Sequence, residues 1–416
     1  MVTPEREPLN KSGGRLVSTP RRLLMVITTL TFGGAETQVV RLAIELRSRG
    51  WVVAIACLVE PTAFVDQLNE AGINVHSLDM SRGVPDPRAI LKLRRLICMF
   101  KPDIVHSHMV HANLLARITH LVTPIKVLIS TAHNTRETSE RGGPTWHKEL
   151  LYRLTDCLAD KTTIICSAAR DRYVRIGAVP PHKLAMIPNG VDTSRFVASK
   201  DSRDAARKSL GVTSEFVWLS VGRLVKQKDY SLLIRAIHLL PKDGWILLIA
   251  GRGPLLPELT AECRRLRVEE RIRFLGARED IRDLYSAADA FVMSSGLEGL
   301  SAALLEASSV GLPSVVTNVG GNAEIVLNGS TGYVVESGNP NQLACAMRSM
   351  MDASPQQRLT FGRAVRQHCL ANYDFKAVVE KWLALYQSFF PASPAGQSSR
   401  ISHFRALMEG DRPAPR

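Results

Sequence analysis

Short apolar runs alternate, twice over, with longer segments in which apolar residues recur every three or four positions. Residues 22–29 (RLLMVITT), 51–58 (WVVAIACL), 103–107 (DIVHS), 126–131 (KVLIST) and 162–167 (TTIICS) read as buried strands. Between them, 35–49 (AETQVVRLAIELRSR) and 88–100 carry the helix period. Strands that are apolar on both faces and separated by helices require a parallel sheet covered on both sides. The segment PNGVDTSRF (188–196) breaks the rhythm, a polar helix follows, and the pattern restarts. Residues 216–222, 245–250, 271–275, 290–293, 313–317 and 332–335 form the second set of expected strands. The fold class is therefore α/β: two doubly wound, Rossmann-like domains, 21–190 and 191–372, facing an interdomain cleft. Ligands of such sheets bind outside the carboxyl ends of the strands. A last amphipathic helix is expected over 374–390, with a disordered arm at 1–20 and a disordered tail at 391–416.

Composition narrows the function classes. The chain has 416 residues, 45% hydrophobic and 22% charged, which excludes a wholly disordered or disulfide-scaffold chain. Seven cysteines form no C-x-x-C pair and mostly sit in apolar runs, as buried thiols of a reducing compartment do. No run approaches the 18–20 apolar residues of a membrane span, and the first 20 residues lack the apolar stretch of a signal peptide, so the expected location is cytoplasmic. The formal charge is +14. Such an excess suits nucleic acid, an anionic membrane face or phosphorylated ligands. Aromatic content of 6% and the absence of a nucleic-acid-binding signature argue against the first. Residues 1–190 hold 25 Lys and Arg against 16 Asp and Glu, partly through RAILKLRRLICMFK at 88–101, so the basic surface belongs mainly to the first domain.

Four segments carry candidate chemistry. TFGGAETQ (31–38) follows a strand and opens a helix; Gly33 and Gly34 allow close approach of a ligand to unpaired N–H groups at the helix mouth. SVGRLVKQKDY (220–230) places Arg223 and Lys228 between a strand end and the next helix, where two cations could hold a diphosphate. IAGRGPLLPEL (249–259) has a G-x-G but lacks the third glycine of a dinucleotide fingerprint. In SSGLEGLSAALLEASSVGLP (294–313), Glu298 and Glu306 are eight apart. If a helix begins near Gly299, 100° per residue turns both toward nearly the same face, about 12 Å apart along the axis. A carboxylate among small apolar residues needs a partner, which the hydroxyls of a polyhydroxylated ligand supply. His106, His108, His111 and His133 follow strand ends and read first as hydrogen-bonding groups. No Asp-x-Asp pair is present to hold a nucleotide-bound divalent cation, so no metal and no cofactor are expected.

Taken in order, GGAE (33–36), PNGVD (188–192), VGRL with Lys228, AGRGP (250–254), FLG (274–276) and the Glu298-x7-Glu306 motif with GLP and VGG after it resemble the retaining GT-B glycosyltransferases of family 4. The resemblance covers residues 22–390 and implies an N-terminal acceptor domain, a C-terminal nucleotide-sugar domain, and a final segment, 373–390, returning to the first domain. It implies that Arg223 and Lys228 bind the donor diphosphate with Gly33, Gly34, Gly299 and Leu300. Glu306 would hold the ribose and Glu298 the hydroxyls of the transferred sugar. His133 would be the active-site histidine, with His108 and Asn134 toward the acceptor. The expected reaction moves a hexosyl group, from a UDP-sugar by preference, to a glycan, lipid-linked or small-alcohol acceptor in cell-surface polysaccharide or glycolipid synthesis. Docking on the inner, anionic membrane leaflet is a further expectation. The family often has Gly after the phosphate-binding Lys, where this chain has Asp229; Lys226 is the alternative cation. A nucleotide-sugar epimerase shares the architecture and needs no acceptor. A lectin-like module would leave the phosphate-site residues without a purpose.

Overall fold

A computed structural model describes residues 21–81, 84, 86–135 and 146–390. The arm at 1–20 and the tail at 391–416, expected to be disordered, lie outside the described residues. The first half runs β1 (Arg22–Ile27), α1 (Gly34–Ser48), β2 (Val52–Cys57), α2 (Val65–Glu70), β3 (Asn74–Ser77), α3 (Arg88–Phe100), β4 (Ile104–His108), α4 (Val110–His120), β5 (Leu128–Ala132), α5 (Trp146–Thr155), β6 (Lys161–Ile164), α6 (Ser167–Arg175) and β7 (Leu184–Met186). The second runs α7 (Lys200–Ser209), β8 (Phe216–Val221), α8 (Tyr230–His238), β9 (Trp245–Ala250), α9 (Leu256–Leu266), β10 (Ile272–Gly276), α10 (Ile281–Ala287), β11 (Ala290–Met293), α11 (Ala302–Val310), β12 (Ser314–Thr317), α12 (Asn322–Ile325) and β13 (Gly332–Val335). Three helices close the described chain: α13 (Pro340–Asp352), α14 (Pro355–Tyr373) and α15 (Phe375–Ser388).

Two parallel sheets result. The first has order β3-β2-β1-β4-β5-β6-β7 and the second β10-β9-β8-β11-β12-β13. Strands β4, β5 and β9 are buried along their whole length, as strands covered on both faces are, and β9 (WILLIA) is accordingly apolar without alternation. In each sheet the strand order reverses once, between β1 and β4 and between β8 and β11. At such a switch point the helices leave on opposite faces and open a crevice at the strand carboxyl ends. The segments after β1, β8 and β11 carry Gly33 and Gly34, Arg223 and Lys228, and Glu298, and the last residue of β4 is His108.

The hinge is tied to the chain's end. Val191 N–H donates to the Tyr373 carbonyl at 2.8 Å, and Phe375 N–H donates to the Val191 carbonyl at 2.9 Å. Asp374 then caps α15 by accepting from Lys376 and Ala377 N–H groups. Val378, Val379, Trp382, Leu385 and Tyr386 of α15 are buried in the core built by β1, β2 and α1, so this helix completes the first domain.

One local expectation is corrected. The helix carrying Glu306 begins at Ala302, with Ser301 as its N-cap, and not near Gly299. Glu298 therefore precedes the helix, and the helical-wheel argument for a shared face does not apply to it. The chain at 299–300 makes close contacts instead, both across the cleft and within its own domain. A Cβ on Gly299 would lie 2.1 Å from the His133 carbonyl oxygen, and Gly299 accepts a hydrogen bond from Gly321 N–H at 2.7 Å.

Candidate active site

The two domains meet at their switch points. Helix α1 begins at Gly34 and α11 at Ala302, and neither has a side-chain cap on its N-terminus. An added Cβ on Gly34 would stand 3.6 Å from the Ala302 Cβ, so the two helix mouths converge. Each offers unpaired N–H groups and the positive end of a helix dipole, and together they favour an anion between them. Beside Gly33 the Glu36 carboxylate folds back to within 2.3 Å of where a Cβ would be, the end of a flexible side chain. That carboxylate accepts from Thr31 Oγ1 at 3.1 Å.

Lys228 and Glu298, expected to serve different parts of one ligand, are paired with each other. Lys228 Nζ lies 2.6 Å from Glu298 Oε1, which also accepts from Ser295 Oγ at 2.6 Å. Glu298 is buried. The loops that carry them are stitched together by Gln227 Nε2 donating to the Leu297 carbonyl and by Gly296 N–H donating to the Gln227 carbonyl. Arg223 is exposed and has no side-chain hydrogen bond or ion pair with any described residue. Lys226 is likewise exposed. Asp229 has φ +44° and ψ +53°, the left-handed conformation in which glycine is unstrained. Its carboxylate caps α8 by accepting from Leu232 N–H at 3.1 Å, an interaction glycine cannot make.

The glycines of AGRGP serve packing. A Cβ on Gly251 would sit 1.9 Å from the Gly222 carbonyl oxygen, and one on Gly253 would sit 2.3 Å from that of Leu224. They let this loop press against the turn that carries Arg223.

Glu306 lies on the second turn of α11, and burial raises its carboxyl pKa, with the Tyr285 hydrogen bond and the charges of Arg41 and Arg195 acting against that rise. The Tyr285 hydroxyl stands 3.1 Å from Glu306 Oε2 and 3.0 Å from the Ala303 carbonyl. Arg41 comes from α1, in the opposite domain. Sequence reasoning missed Tyr285, Arg41 and Arg195, since nothing local marks partners that are distant in the chain.

His108 and His133 come together at the ends of β4 and β5. His108 Nδ1 lies 3.2 Å from His133 Nε2. Burial pushes His133 down to about 4, His106 down to about 3 and His108 well below its usual range. All three rings are therefore neutral at pH 7. Met109, next to His108, holds φ +72° and ψ +154°, a strained conformation for a residue with a side chain. Asn134 is half-buried and forms no side-chain hydrogen bond with any described residue. Among the described residues, no group of three or more His, Cys, Asp or Glu is arranged to hold a metal.

Three contacts hold the cleft closed. Thr135 Oγ1 donates to the Glu298 carbonyl at 2.9 Å, and Asn189 Nδ2 donates to the Leu300 carbonyl at 3.0 Å. Ser167 donates through both its N–H and its hydroxyl to Glu324. Asn189, given no role of its own within the PNGVD motif, is thus a clamp on the loop before α11.

Residues 32–195 match the family model described as Glycosyltransferase Family 4, and residues 202–368 match that described as Glycosyl transferases group 1. The UDP-Gal:alpha-D-GlcNAc-diphosphoundecaprenol alpha-1,3-galactosyltransferase of Escherichia coli is 31% identical over 264 residues, 61% of this chain and 67% of its own. A glycogen synthase of Mycobacterium tuberculosis is 30% identical over 316 residues, 72% of each chain. Among solved structures, Anabaena HepE in complex with UDP has a TM-score of 0.77 at 21% identity, covering 88% of this chain and 100% of its own. Sucrose-phosphate synthase of Thermosynechococcus elongatus has the same TM-score at 19% identity, covering 90% and 100%.

Proposed function

The chain belongs to glycosyltransferase family 4, as a glycosyltransferase of the GT-B fold, and on that premise we propose that it moves a hexosyl or related sugar from a UDP-sugar, with retention, to a glycan or lipid-linked acceptor of cell-surface polysaccharide or glycolipid synthesis. The observation that carries the reading is the convergence of two uncapped helix mouths, at Gly34 and Ala302, beside the loop that holds Lys228 and Glu298. Such a place suits a diphosphate flanked by a sugar. Support for UDP comes from the galactosyltransferase named above and from the bound ligand of the Anabaena structure. Support for a lipid-linked acceptor comes from the same galactosyltransferase.

As the bond from the anomeric carbon to the diphosphate breaks, negative charge builds on the departing phosphate. Arg223, Lys228 and the N–H groups of Gly34 and Leu300 would stabilise it without a metal. Glu306 would hold the ribose hydroxyls and Glu298 those of the sugar, released from Lys228 as the diphosphate takes the cation. The acceptor oxygen attacks on the same face and its proton passes to the leaving phosphate. Closure over the site would exclude water and suppress donor hydrolysis.

Docking on an anionic leaflet is part of this proposal. Residues 88–120, which span α3, β4 and α4, contain one acid, Asp103, and it is paired with Lys126 at 2.8 Å. Arg94, Arg95, Leu91 and Met99 are exposed on α3, Leu121 and Val122 lie just past α4, and Trp146 and Leu154 are exposed on α5. Cations interleaved with exposed apolar side chains suit a lipid surface. No helix among the described residues is long and apolar enough to cross a membrane.

The test is a panel of UDP-, GDP- and ADP-sugars, scored by thermal shift and by transfer, in EDTA. A UDP-sugar should raise the melting temperature and be turned over. No response to any sugar nucleotide would overturn the reading.

A further inference from the structure

The VGG motif at 319–321, and Glu324 just after it, have no part in the proposed chemistry. The segment lies between the two domains with no room for side chains on its glycines. Gly320 takes φ +57°, and a Cβ there would lie 2.4 Å from the Glu298 carbonyl oxygen and 2.5 Å from that of Gly299. A Cβ on Gly321 would lie 2.9 Å from Cys166 Cβ, which belongs to the first domain. One side of the segment therefore rests on the loop proposed to hold the transferred sugar, and the other on the start of α6.

Helix α6 has no cap within its own domain. Its N-cap residue is Cys166, in extended backbone and with no side-chain cap hydrogen bond, where Ser, Thr, Asp or Asn would serve. The missing acceptor comes from the second domain. Glu324 Oε1 accepts from Ser167 N–H at 2.8 Å and from Ser167 Oγ at 2.6 Å. A carboxylate is also the charge that the positive end of α6 favours. Glu324 is braced from its own side: its carbonyl accepts from His368 Nε2 at 2.7 Å and from the Tyr373 hydroxyl at 3.1 Å. The Tyr373 carbonyl in turn accepts from Val191 N–H at the hinge. Parting the domains must break this cap, because the helix and the acid belong to different domains.

We propose that Glu324 is a positioning residue, which couples the sugar-holding loop to the acceptor domain by capping α6 across the cleft. It touches neither substrate and acts through the helix it caps. With the loop at 298–300 in place, the VGG segment presents the carboxylate to Ser167 and the domains seal. When that loop shifts, the segment wedged on it moves too, and α6 loses its cap. A seal that follows the loop keeps water from the donor while transfer is under way. This rests on the transfer reading proposed above and names what joins its two halves.

The experiment uses the full chain with Cys157→Ser, which leaves Cys98 on α3 and Cys345 on α13 as the exposed thiols, one in each domain, for spin labels. The distance between them is measured with and without UDP. Glu324→Ala and Ser167→Ala should each shift the population toward longer distances, and Ser167→Ala added to Glu324→Ala should shift it no further. Glu324→Gln keeps an oxygen for both Ser167 donors and should recover at least half of the shift. In the transfer assay of the sugar-nucleotide panel, Glu324→Ala should release at least a fivefold larger share of its UDP without transfer. An unchanged distance in folded Glu324→Ala, additive single effects, or no recovery in Glu324→Gln would overturn the proposal. A wild type that binds no sugar nucleotide would instead strike the donor reading, and the distances in the unliganded protein would still decide for or against the cap.

Discussion

Gly299→Ala isolates the cleft contact on which the proposed catalysis depends. Its new Cβ would stand 2.1 Å from the His133 carbonyl oxygen and 2.8 Å from Ile165 Cδ1. The first neighbour is backbone of the opposite domain and cannot rotate away. Real contacts of this kind do not fall below 3.0 Å, so the loop or the domains must move by about 1 Å. That motion pulls on the flanking bonds, Thr135 to the Glu298 carbonyl and Asn189 to the Leu300 carbonyl, each worth about 1 kcal/mol. It also displaces the N–H of Leu300 from the converging helix mouths. A 1 Å misplacement of a catalytic constellation costs about 100-fold in rate. The expected outcome is a fall of that order in kcat/KM, with stability lowered by no more than the two strained bonds are worth, about 2 kcal/mol. Gly296→Ala serves as the control: its Cβ would meet nothing nearer than 4.0 Å, and little change is expected. Steady-state transfer and thermal melts on both variants decide the matter. A Gly299→Ala enzyme within threefold of wild type would refute the contact's role.

Arg223→Ala and Glu306→Ala should each abolish transfer and leave the fold intact by circular dichroism; full activity in either would remove that residue from the donor site. Charge reversal at Arg94 and Arg95 should release the protein from anionic vesicles in a flotation assay, and unchanged binding would dismiss that patch. Stability should fall as pH drops from 6.5 toward 4. Below 6.5 the unfolded chain takes up protons that buried His106, His108 and His133 refuse, so the native state loses ground by about 1.4 kcal/mol per pH unit for each ring. Between pH 7 and pH 5 the three rings together should cost on the order of 5 kcal/mol, read from denaturant midpoints; a flat profile over that range would contradict their burial.

Regular elements were legible where burial is uniform, as in β9 and β11, or follows the helix period, as in α3. Residues 88–100, read as a helix, coincide with α3, and 245–250 and 290–293 coincide with β9 and β11. Strands β3 (NVHS) and β7 (LAM) went unread because each is short, lies at a sheet edge and is only partly buried, leaving neither an apolar run nor a clear alternation. The strand-end positions of Gly33, Arg223 and Glu298 could be read because parallel topology fixes which end of a strand faces the crevice. What those residues touch could not. The Tyr285 contact to Glu306, the Asn189 contact to Leu300 and the Lys228 pairing with Glu298 join positions 21, 111 and 70 residues apart, and no local pattern encodes them.

The Lys228–Glu298 pair gives the proposed donor site its own discrimination between substrate and product. With the site empty, the Lys228–Glu298 pair is neutral and satisfied, since Lys228 Nζ and Ser295 Oγ both reach Glu298 Oε1 at 2.6 Å. A diphosphate that draws Lys228 away leaves the Glu298 carboxylate buried with one partner fewer. Removing one partner of a buried pair costs about 3 kcal/mol or more. A UDP-sugar repays that cost, because the sugar hydroxyls donate to Glu298 where the ammonium had been. UDP alone cannot. The free nucleotide should therefore bind less tightly than the intact donor, and product should leave once the sugar has gone. Glu298→Gln removes the competing charge and frees Lys228 in the empty site. It should tighten UDP binding by about tenfold, roughly 1.4 kcal/mol, while turnover falls with the lost carboxylate. Calorimetric titration of UDP into both proteins gives the answer, and an unchanged or weakened UDP affinity in Glu298→Gln would show that the pair does not have to part for the diphosphate to bind.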